Sequence, residues 1–169
     1  MTFGVRLASI QDLAALESVE LLAAQRFDAE VVTANLAKRT IPLPQLQAAQ
    51  SAKELWVATA DDQAIVGFLL AEKLDDDLHI SEMSVIPSYG RQGIGAALIQ
   101  AAIKHARGAG HKRVSLTTFA SVPWNGPFYA KQGFHEMTCS EIGVGLAARI
   151  EQERVLGLIK RVAMCLGGA

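Results

Sequence analysis

The sequence lacks an excess of either charge, a set of paired cysteines and a metal-binding spacing. Sixteen lysines and arginines against seventeen aspartates and glutamates leave a formal net charge of −1. This near balance argues against a dedicated nucleic-acid-binding protein, which needs a basic surface. Two cysteines cannot form a disulfide framework, so we expect Cys139 and Cys165 to be small buried apolar residues. The four histidines and two cysteines show no metal-ligand spacing, and no metal site is predicted.

The sequence also contains no long apolar run and no targeting signal. A membrane span needs about 18 consecutive apolar residues. The richest apolar run, residues 94–103, is shorter than that and is interrupted by Gln100. Residues 1–6 do not have the basic and apolar regions of a secretory signal. We therefore expect a cytoplasmic protein with no membrane partner.

The apolar residues that are present predict a single α/β domain over residues 1–169. Half of the residues are hydrophobic, which is enough for one core of ordinary size. Spacing of three and four predicts helices at residues 10–26, 46–52, 94–107, 127–133 and 143–156. Short apolar or alternating runs predict strands at residues 5–8, 55–60, 64–73, 78–86, 114–118, 134–139 and 161–166. A three-strand antiparallel meander followed by β-α-β units is the expected architecture.

Three local features of this pattern are predicted in more detail. Ser9 is expected to begin the first helix as its N-cap, with Asp12 in the first turn. The continuous apolar centre of residues 64–73 indicates a central strand that is buried on both faces. Residues 41–44 are expected to be extended because of their prolines, residues 31–36 to form a helical turn, and residues 75–77 to form a solvated hairpin tip.

A glycine-rich turn between a strand and a helix is the strongest chemical signal. Glycines at 90, 93 and 95 let the backbone approach a bulky anion, and the start of a helix offers free N–H groups to it. The turn lacks the Lys-Ser/Thr of a P-loop and the third small residue of a dinucleotide fingerprint. A phosphate site and a ligand-free helix entry both remain open on the turn alone.

A second motif stands downstream of the turn: residues 90–98 read GRQGIGAAL, and residues 128–134 read FYAKQGF. Together these two motifs resemble those of the GNAT superfamily of N-acetyltransferases. Weaker matches are WVA at residues 56–58, IVGF at residues 65–68 and EMSVIP at residues 82–87. The order and spacing of these segments carry the resemblance through nearly the whole chain. It implies a mixed, mostly antiparallel sheet of about seven strands with flanking helices and a splay after the fourth strand.

The resemblance implies a site for acetyl-CoA as co-substrate. Pantetheine is expected to pair with the strand backbone at Met83, Ser84 and Val85. The pyrophosphate is expected on the backbone amides of the turn, which belong to Arg91, Gln92, Gly93, Ile94, Gly95 and Ala96. The chain departs from the family pattern at its first position, where Gly90 replaces Arg or Gln. The backbone amides can still bind the pyrophosphate after this change. The resemblance then identifies no side chain that contacts the phosphates.

The resemblance also implies two catalytic residues. Tyr129 matches the family tyrosine that protonates the departing thiolate, and the alternative for it is a half-buried packing role. Glu82 is the candidate base for the acceptor amine, and the alternative is a cross-strand charge partner of Lys73 or Lys112. His79 is a reserve candidate for the base.

The predicted function is an acetyl-CoA-dependent N-acyltransferase that works by direct amine attack. The alternative is a non-catalytic CoA-binding or sensor module of the same fold. In the family the acceptor is selected by segments that correspond here to residues 25–50 and 139–158. Both segments carry charges of both signs, so they indicate only a small-molecule or peptide amine. A homodimer is left open.

Overall fold

A seven-stranded mixed sheet forms the centre of the protein, which is described by a computed structural model at residues 2–27, 32–61 and 63–167. The strands are β1 (Phe3–Leu7), β2 (Leu55–Ala60), β3 (Ile65–Leu74), β4 (Asp77–Val85), β5 (Val114–Phe119), β6 (His135–Glu136) and β7 (Arg161–Leu166). The helices are α1 (Leu13–Ala24), α2 (Leu43–Ser51), α3 (Ile94–Ala109), α4 (Asn125–Lys131) and α5 (Val144–Val155). The strand order is β1-β2-β3-β4-β5-β7-β6, and only β4 and β5 run parallel. The predicted fold class is confirmed.

Helices cover both faces of the sheet, which explains the continuous apolar strands. Along β2, Trp56 and Ala58 belong to the core beneath α3, whereas Leu55 and Val57 belong to the core beneath α1 and α2. Alternate residues of a strand point to opposite faces, so a strand between two helical layers has no polar side. The central position and two-sided burial predicted for β3 are confirmed.

The predicted N-cap at Ser9 is confirmed, but the turn that it begins, Ile10–Asp12, is a 3-10 helix, and α1 follows at Leu13. The Asp12 carboxylate accepts hydrogen bonds from the Ser9 backbone N–H at 2.7 Å and from the Ser9 hydroxyl at 2.8 Å. Arg6 of β1 pairs with the same carboxylate at 2.6 Å, and this contact lowers the pKa of Asp12 to about 2. One side chain therefore joins the first strand to the first helix.

Three local predictions were wrong, slightly displaced or too long. Residues 41–44 are not extended throughout, because α2 begins at Leu43 and a proline fits the first helical turn, where its missing N–H is not needed. The helical turn expected at residues 31–36 lies slightly later, at residues 34–38, where the Ala37 N–H donates to the Thr33 carbonyl at 2.9 Å; Val31 lies outside the described residues. The strand expected at residues 134–139 shortens to His135–Glu136, because the Thr138 N–H bonds to the Glu141 carboxylate at 2.7 Å and turns the chain.

The aspartates at residues 75–77 are not simply a solvated tip. Asp75 accepts the backbone N–H groups of Gly145 and Leu146 and so caps the start of α5. Asp77 is buried and pairs with Arg113, whose Nε lies 3.1 Å from each carboxylate oxygen. The prediction was wrong for Asp77 because its partner lies 36 residues away in the chain.

Removing the buried member of this pair is expected to destabilise the protein. In Asp77→Ala, Arg113 stays mostly buried without its counter-charge, and we expect the free energy of unfolding to fall by about 3 kcal/mol. Urea denaturation measures this change. Glu151→Ala is the control, because the Glu151–Arg154 pair is exposed and its loss is expected to leave the urea midpoint unchanged. Equal midpoints for the two variants would contradict the prediction.

The two cysteines differ in their exposure to solvent. Cys165 is buried as predicted, whereas Cys139 is exposed because it lies in the turn that follows β6. Within the described residues, no helix has the length and apolarity that crossing a membrane requires.

Candidate active site

The parallel strands β4 and β5 separate part-way along their length. They pair only at Leu78–Val114, His79–Ser115 and Ile80–Leu116, although β4 continues to Val85 and β5 to Phe119. Beyond these pairs, the edge of β4 that faces β5 has no strand partner among the described residues. The sheet opens there into a cleft of about 700 Å³. The predicted splay after the fourth strand is confirmed.

A bulge in β4 decides which side chains enter the cleft from each face. Leu70 of β3 lies opposite Glu82, but Ala71 lies opposite Ile80, so Ser81 is an extra residue. The extra residue shifts the alternation of β4 by one position. Ile80 and Met83 therefore both contact the core beneath α3. Glu82 consequently faces the side of the sheet that α1 covers.

Glu82 is held by a single side-chain hydrogen bond. The Ser84 hydroxyl donates to its carboxylate at 2.8 Å, and no ion pair to Glu82 is present among the described residues. The alternative of a cross-strand pair with Lys73 or Lys112 is therefore wrong. Burial raises the pKa of Glu82, and Ser84 and the charge of Arg161 oppose this shift. A carboxylate with a raised pKa is a stronger base near neutral pH.

A second carboxylate, Glu20, reaches the same cleft from α1. The Ile41 backbone N–H donates to it at 2.9 Å, and burial raises the pKa of Glu20 to about 7 with a further contribution from the charge of Glu82. Glu20 was not among the site residues predicted from the sequence. The available signal was its position four residues after Leu16 and three before Ala23, which puts a carboxylate in the buried stripe of the helix.

Tyr129 lines the cleft from α4 on the opposite side of the opening. Its ring packs edge-on against Phe128 and Phe134, with centroids 5.1 and 6.0 Å away. Burial raises the pKa of Tyr129 to about 12, and the negative charge of Glu82 adds to the shift. The phenol therefore keeps its proton at neutral pH and can donate it to an anion in the cleft.

The glycine-rich turn presents a row of free backbone amides. Gly93 has a φ of 88°, which glycine adopts without strain, and α3 begins at the next residue. The amides of residues 91–96 have no backbone acceptor among the described residues. Arg91 follows Gly90, the position at which this chain departs from the family pattern. It also lies in the left-handed region, with a φ of 61°. Free amides and the positive end of the helix dipole together suit a phosphate group.

The structure brings nearly all of the predicted site residues together. The cleft is lined by Glu82, Met83, Ser84, Val85, Arg91, Gly93, Ile94, Gly95, Ala96 and Tyr129. The side chain of Gln92 does not line it but points its amide nitrogen at the Ser88 carbonyl, 3.5 Å away. His79 lies where β4 and β5 are still paired, 3.0 Å from the Ser115 hydroxyl. Burial lowers the pKa of His79 to about 4, which suits a structural residue.

Comparison with known proteins identifies the family. The model of the acetyltransferase (GNAT) family matches residues 19–134. The chain belongs to the GNAT family. That match includes the splayed strands, the glycine-rich turn and Tyr129 of this GNAT chain.

Solved structures show the same fold in other GNAT proteins. The PaiA N-acetyltransferase from Thermoplasma acidophilum, in complex with coenzyme A, is 19% identical, with coverage of 99% of this chain and 100% of that one and a TM-score of 0.76. A GNAT acetyltransferase from Staphylococcus aureus is 16% identical, with 98% of each chain covered and a TM-score of 0.72. One from Brucella melitensis, in complex with acetyl-CoA, is 22% identical, with coverage of 79% and 83% and a TM-score of 0.60.

A cluster of aromatic rings also lines the cleft of this GNAT chain. Phe27, just beyond α1, contacts Phe119 at 5.7 Å and Trp124 at 5.5 Å between ring centroids. The guanidinium carbon of Arg26 lies 4.3 Å from the centre of the Trp124 ring, and that of Arg161 lies 4.6 Å from the centre of the Phe119 ring. The cluster joins the segment after α1 to the β5–β7 side of the cleft.

Proposed function

We propose that this chain is an acetyl-CoA-dependent N-acetyltransferase that moves the acetyl group to an amine by direct attack. The observation that carries the proposal is the convergence on one cleft of four parts. These are the unpaired edge of β4, the free amides of residues 91–96, the carboxylate of Glu82 and the phenol of Tyr129. Relatives of this fold crystallised with coenzyme A or acetyl-CoA support the choice of co-substrate.

The protein groups fit the two halves of acetyl-CoA. The edge of β4 at residues 83–85 would pair with the pantetheine amides, because these strand positions lack a partner on that side. The amides of residues 91–96 would hold the pyrophosphate by themselves, because Gly90 has no side chain in the place of the family's Arg or Gln. The adjacent Arg91 lines the cleft and supplies a formal positive charge there.

Glu82 and Tyr129 would move the two protons of the reaction. The amine nitrogen forms a bond to the thioester carbonyl carbon, and the bond from that carbon to sulfur breaks. Glu82 accepts the proton that the amine loses, and Tyr129 donates its proton to the departing sulfur. Solvent then returns a proton to Tyr129 and removes one from Glu82. Direct attack needs no covalent intermediate, and the exposed Cys139 plays no part in it.

The acceptor end of the cleft carries charges of both signs. Glu20 and Glu82 provide two carboxylates, and Arg26 and Arg39 provide two cationic groups. An acceptor amine that arrives as an ammonium ion is attracted to the carboxylates, and it loses its extra proton to solvent before it attacks as the neutral amine. The arginines favour acceptors that also carry an anionic group, such as amino acids and peptides. We therefore propose a small-molecule or peptide amine as the acceptor.

An amine panel with acetyl-CoA tests the proposed function. Release of the free thiol is followed for amino acids, short peptides and polyamines, with a reaction lacking enzyme as the blank. We expect turnover with at least one class that requires both the enzyme and the amine. Binding of acetyl-CoA without turnover for every amine would instead support the alternative of a non-catalytic CoA-binding module.

A new carboxylate at the start of α3 is expected to prevent binding of coenzyme A. Ala96 lines the cleft in the first turn of α3, so Ala96→Glu places a negative charge where the pyrophosphate would sit. The same charge favours the helix dipole, so the fold is retained. We expect the dissociation constant to rise at least tenfold, measured by calorimetry or by loss of the CoA-induced thermal shift.

Gln100→Glu is the matched control for this variant. Gln100 is exposed one turn further along α3, and the substitution adds the same charge. We expect it to bind coenzyme A as the unmodified protein does. Equal binding by the two variants would contradict the placement of the pyrophosphate at the start of α3.

A further inference from the structure

Three metal-ligating side chains meet at the far edge of the sheet, outside the cleft. His135 comes from β6, Cys165 from β7 and Glu141 from the turn that precedes α5. The His135 Nε2 atom lies 3.1 Å from a carboxylate oxygen of Glu141 and 3.4 Å from the sulfur of Cys165. Cys165 is buried, whereas the His135 side chain is about half exposed. None of the three lines the candidate active site.

The Nε2 atom of His135 cannot form full hydrogen bonds with both of its neighbours at once. If Nε2 carries a proton, it can donate to Glu141, but it then has no lone pair to accept from the Cys165 thiol. If Nε2 is unprotonated, it can accept from the thiol, but its lone pair then also faces the lone pairs of the Glu141 oxygen. In the first state Nε2 offers no acceptor to the thiol proton. In the second, one oxygen of Glu141 loses this donor, while its other oxygen keeps both bonds from Thr138. A cation bound between the three atoms would contact all of them at once.

Two of the three distances between the ligand atoms are close to the edges of a small tetrahedral site, and the Cys165 sulfur lies within 4.8 Å of a carboxylate oxygen of Glu141. Zinc lies about 2.0–2.1 Å from a histidine nitrogen, about 2.0–2.2 Å from a carboxylate oxygen and about 2.3 Å from a cysteine sulfur. At tetrahedral angles, two such ligands are about 3.3–3.6 Å apart. The separations of 3.1 and 3.4 Å found here need only small adjustments to reach these values.

The surrounding residues hold the carboxylate in a binding orientation. The second oxygen of Glu141 accepts the backbone N–H of Thr138 at 2.7 Å and the Thr138 hydroxyl at 2.9 Å, which leaves the first oxygen for His135. Arg113 donates to the Glu141 backbone carbonyl at 3.0 Å, and its charge is balanced by Asp77. Such contacts to the atoms behind the ligands orient metal sites in proteins.

We propose that His135, Glu141 and Cys165 form a binding site for one zinc-like divalent transition-metal ion. A thiolate and an imidazole select such an ion over magnesium or calcium, and the exposed side of His135 leaves the fourth position to water. The bound ion joins β6, β7 and the turn before α5, and so stabilises this edge of the sheet. The intervals between residues 135, 141 and 165 match no metal-binding motif, so no metal site could be predicted from the sequence.

Cobalt titration of the chelator-treated, reduced protein tests the site. Cobalt replaces zinc in tetrahedral sites and gives an intense thiolate-to-metal absorption band when a cysteine is a ligand. We expect this band to saturate at one equivalent and to disappear when Zn²⁺ is added. Zinc at one hundred times its dissociation constant is expected to raise the melting temperature by about 5–10 °C.

Variants of both cysteines and of the exposed histidine make the test specific. Cys139→Ser is the matched control and is expected to keep the band, whereas Cys165→Ser is expected to lose it. His135→Ala changes a half-exposed side chain, folds without difficulty, and is expected to weaken cobalt binding at least tenfold. A second group of potential ligands, Glu54, His105 and His111, contains no thiol and cannot give the band. Absence of the band, or its persistence in Cys165→Ser, would overturn the proposal.

Discussion

Tyr129→Phe is expected to lower kcat by roughly 10²-fold while the affinity for acetyl-CoA stays nearly unchanged. The substitution removes one hydroxyl and keeps the ring, so the edge-on contacts with Phe128 and Phe134 are preserved. The loss falls on kcat because the hydroxyl matters most when negative charge develops on the departing sulfur. Steady-state kinetics with the best amine of the panel, together with calorimetry for acetyl-CoA, measures both quantities.

Tyr89→Phe is the matched control, since the chain contains two tyrosines and both line the cleft. It removes the same hydroxyl from the neighbourhood of the glycine-rich turn and is expected to keep kcat. If Tyr129→Phe instead weakens acetyl-CoA binding and keeps kcat, the hydroxyl anchors the co-substrate and is not the acid. Full activity of Tyr129→Phe would assign protonation of the sulfur to water.

The sheet and the glycine-rich turn could be predicted because their signals are local. Period-two and continuous apolar runs locate β2, β3 and β4, and these strands begin and end within one residue of the predicted limits. Glycines also mark real backbone requirements. Gly93 and Gly110, at the two ends of α3, have φ values of 88° and 77°, which side-chain-bearing residues rarely adopt.

The sequence alone could not locate features that depend on pairing between distant residues. The bulge at Ser81 arises from the register of β3 against β4, and no residue of β4 marks it by type. Without that bulge, Glu82 would face α3 instead of α1 and would lie away from Glu20. The ion pair of Asp77 with Arg113 was hidden for the same reason, since an aspartate in a row of three reads as a turn.

Glu20 shows a different limit of the sequence analysis. Its charge broke the apolar stripe of α1, but such a break also occurs where a helix simply reaches the surface. Only the packing of α1 against β4, and the Ile41 N–H that holds the carboxylate, distinguish the two cases. A charged residue in a buried stripe predicts a site only when the partner surface is known.

Glu82→Gln is expected to lower kcat/KM at neutral pH by roughly 10³-fold, within the range for loss of a general base. The amide keeps the size of the side chain and its contact with Ser84, but it cannot accept a proton from the amine. Burial raises the pKa of Glu82, so its protonated, inactive form persists to a higher pH than for an exposed glutamate. In the unmodified enzyme, kcat/KM therefore falls as the pH drops through this raised pKa, and that limb is expected to be missing from the profile of Glu82→Gln.

Glu20→Gln provides the comparison that separates the two carboxylates of the cleft. The amide oxygen can still accept the Ile41 N–H, so the loop after α1 stays in place. We expect a modest rise in KM for cationic amines, because one attracting charge is lost, with kcat changed by less than tenfold. The pH profile is expected to keep the acid limb that belongs to Glu82. If Glu20→Gln removes that limb and Glu82→Gln keeps it, then the base is Glu20, and the bulge at Ser81 presents Glu82 to the cleft for binding the amine rather than for deprotonating it.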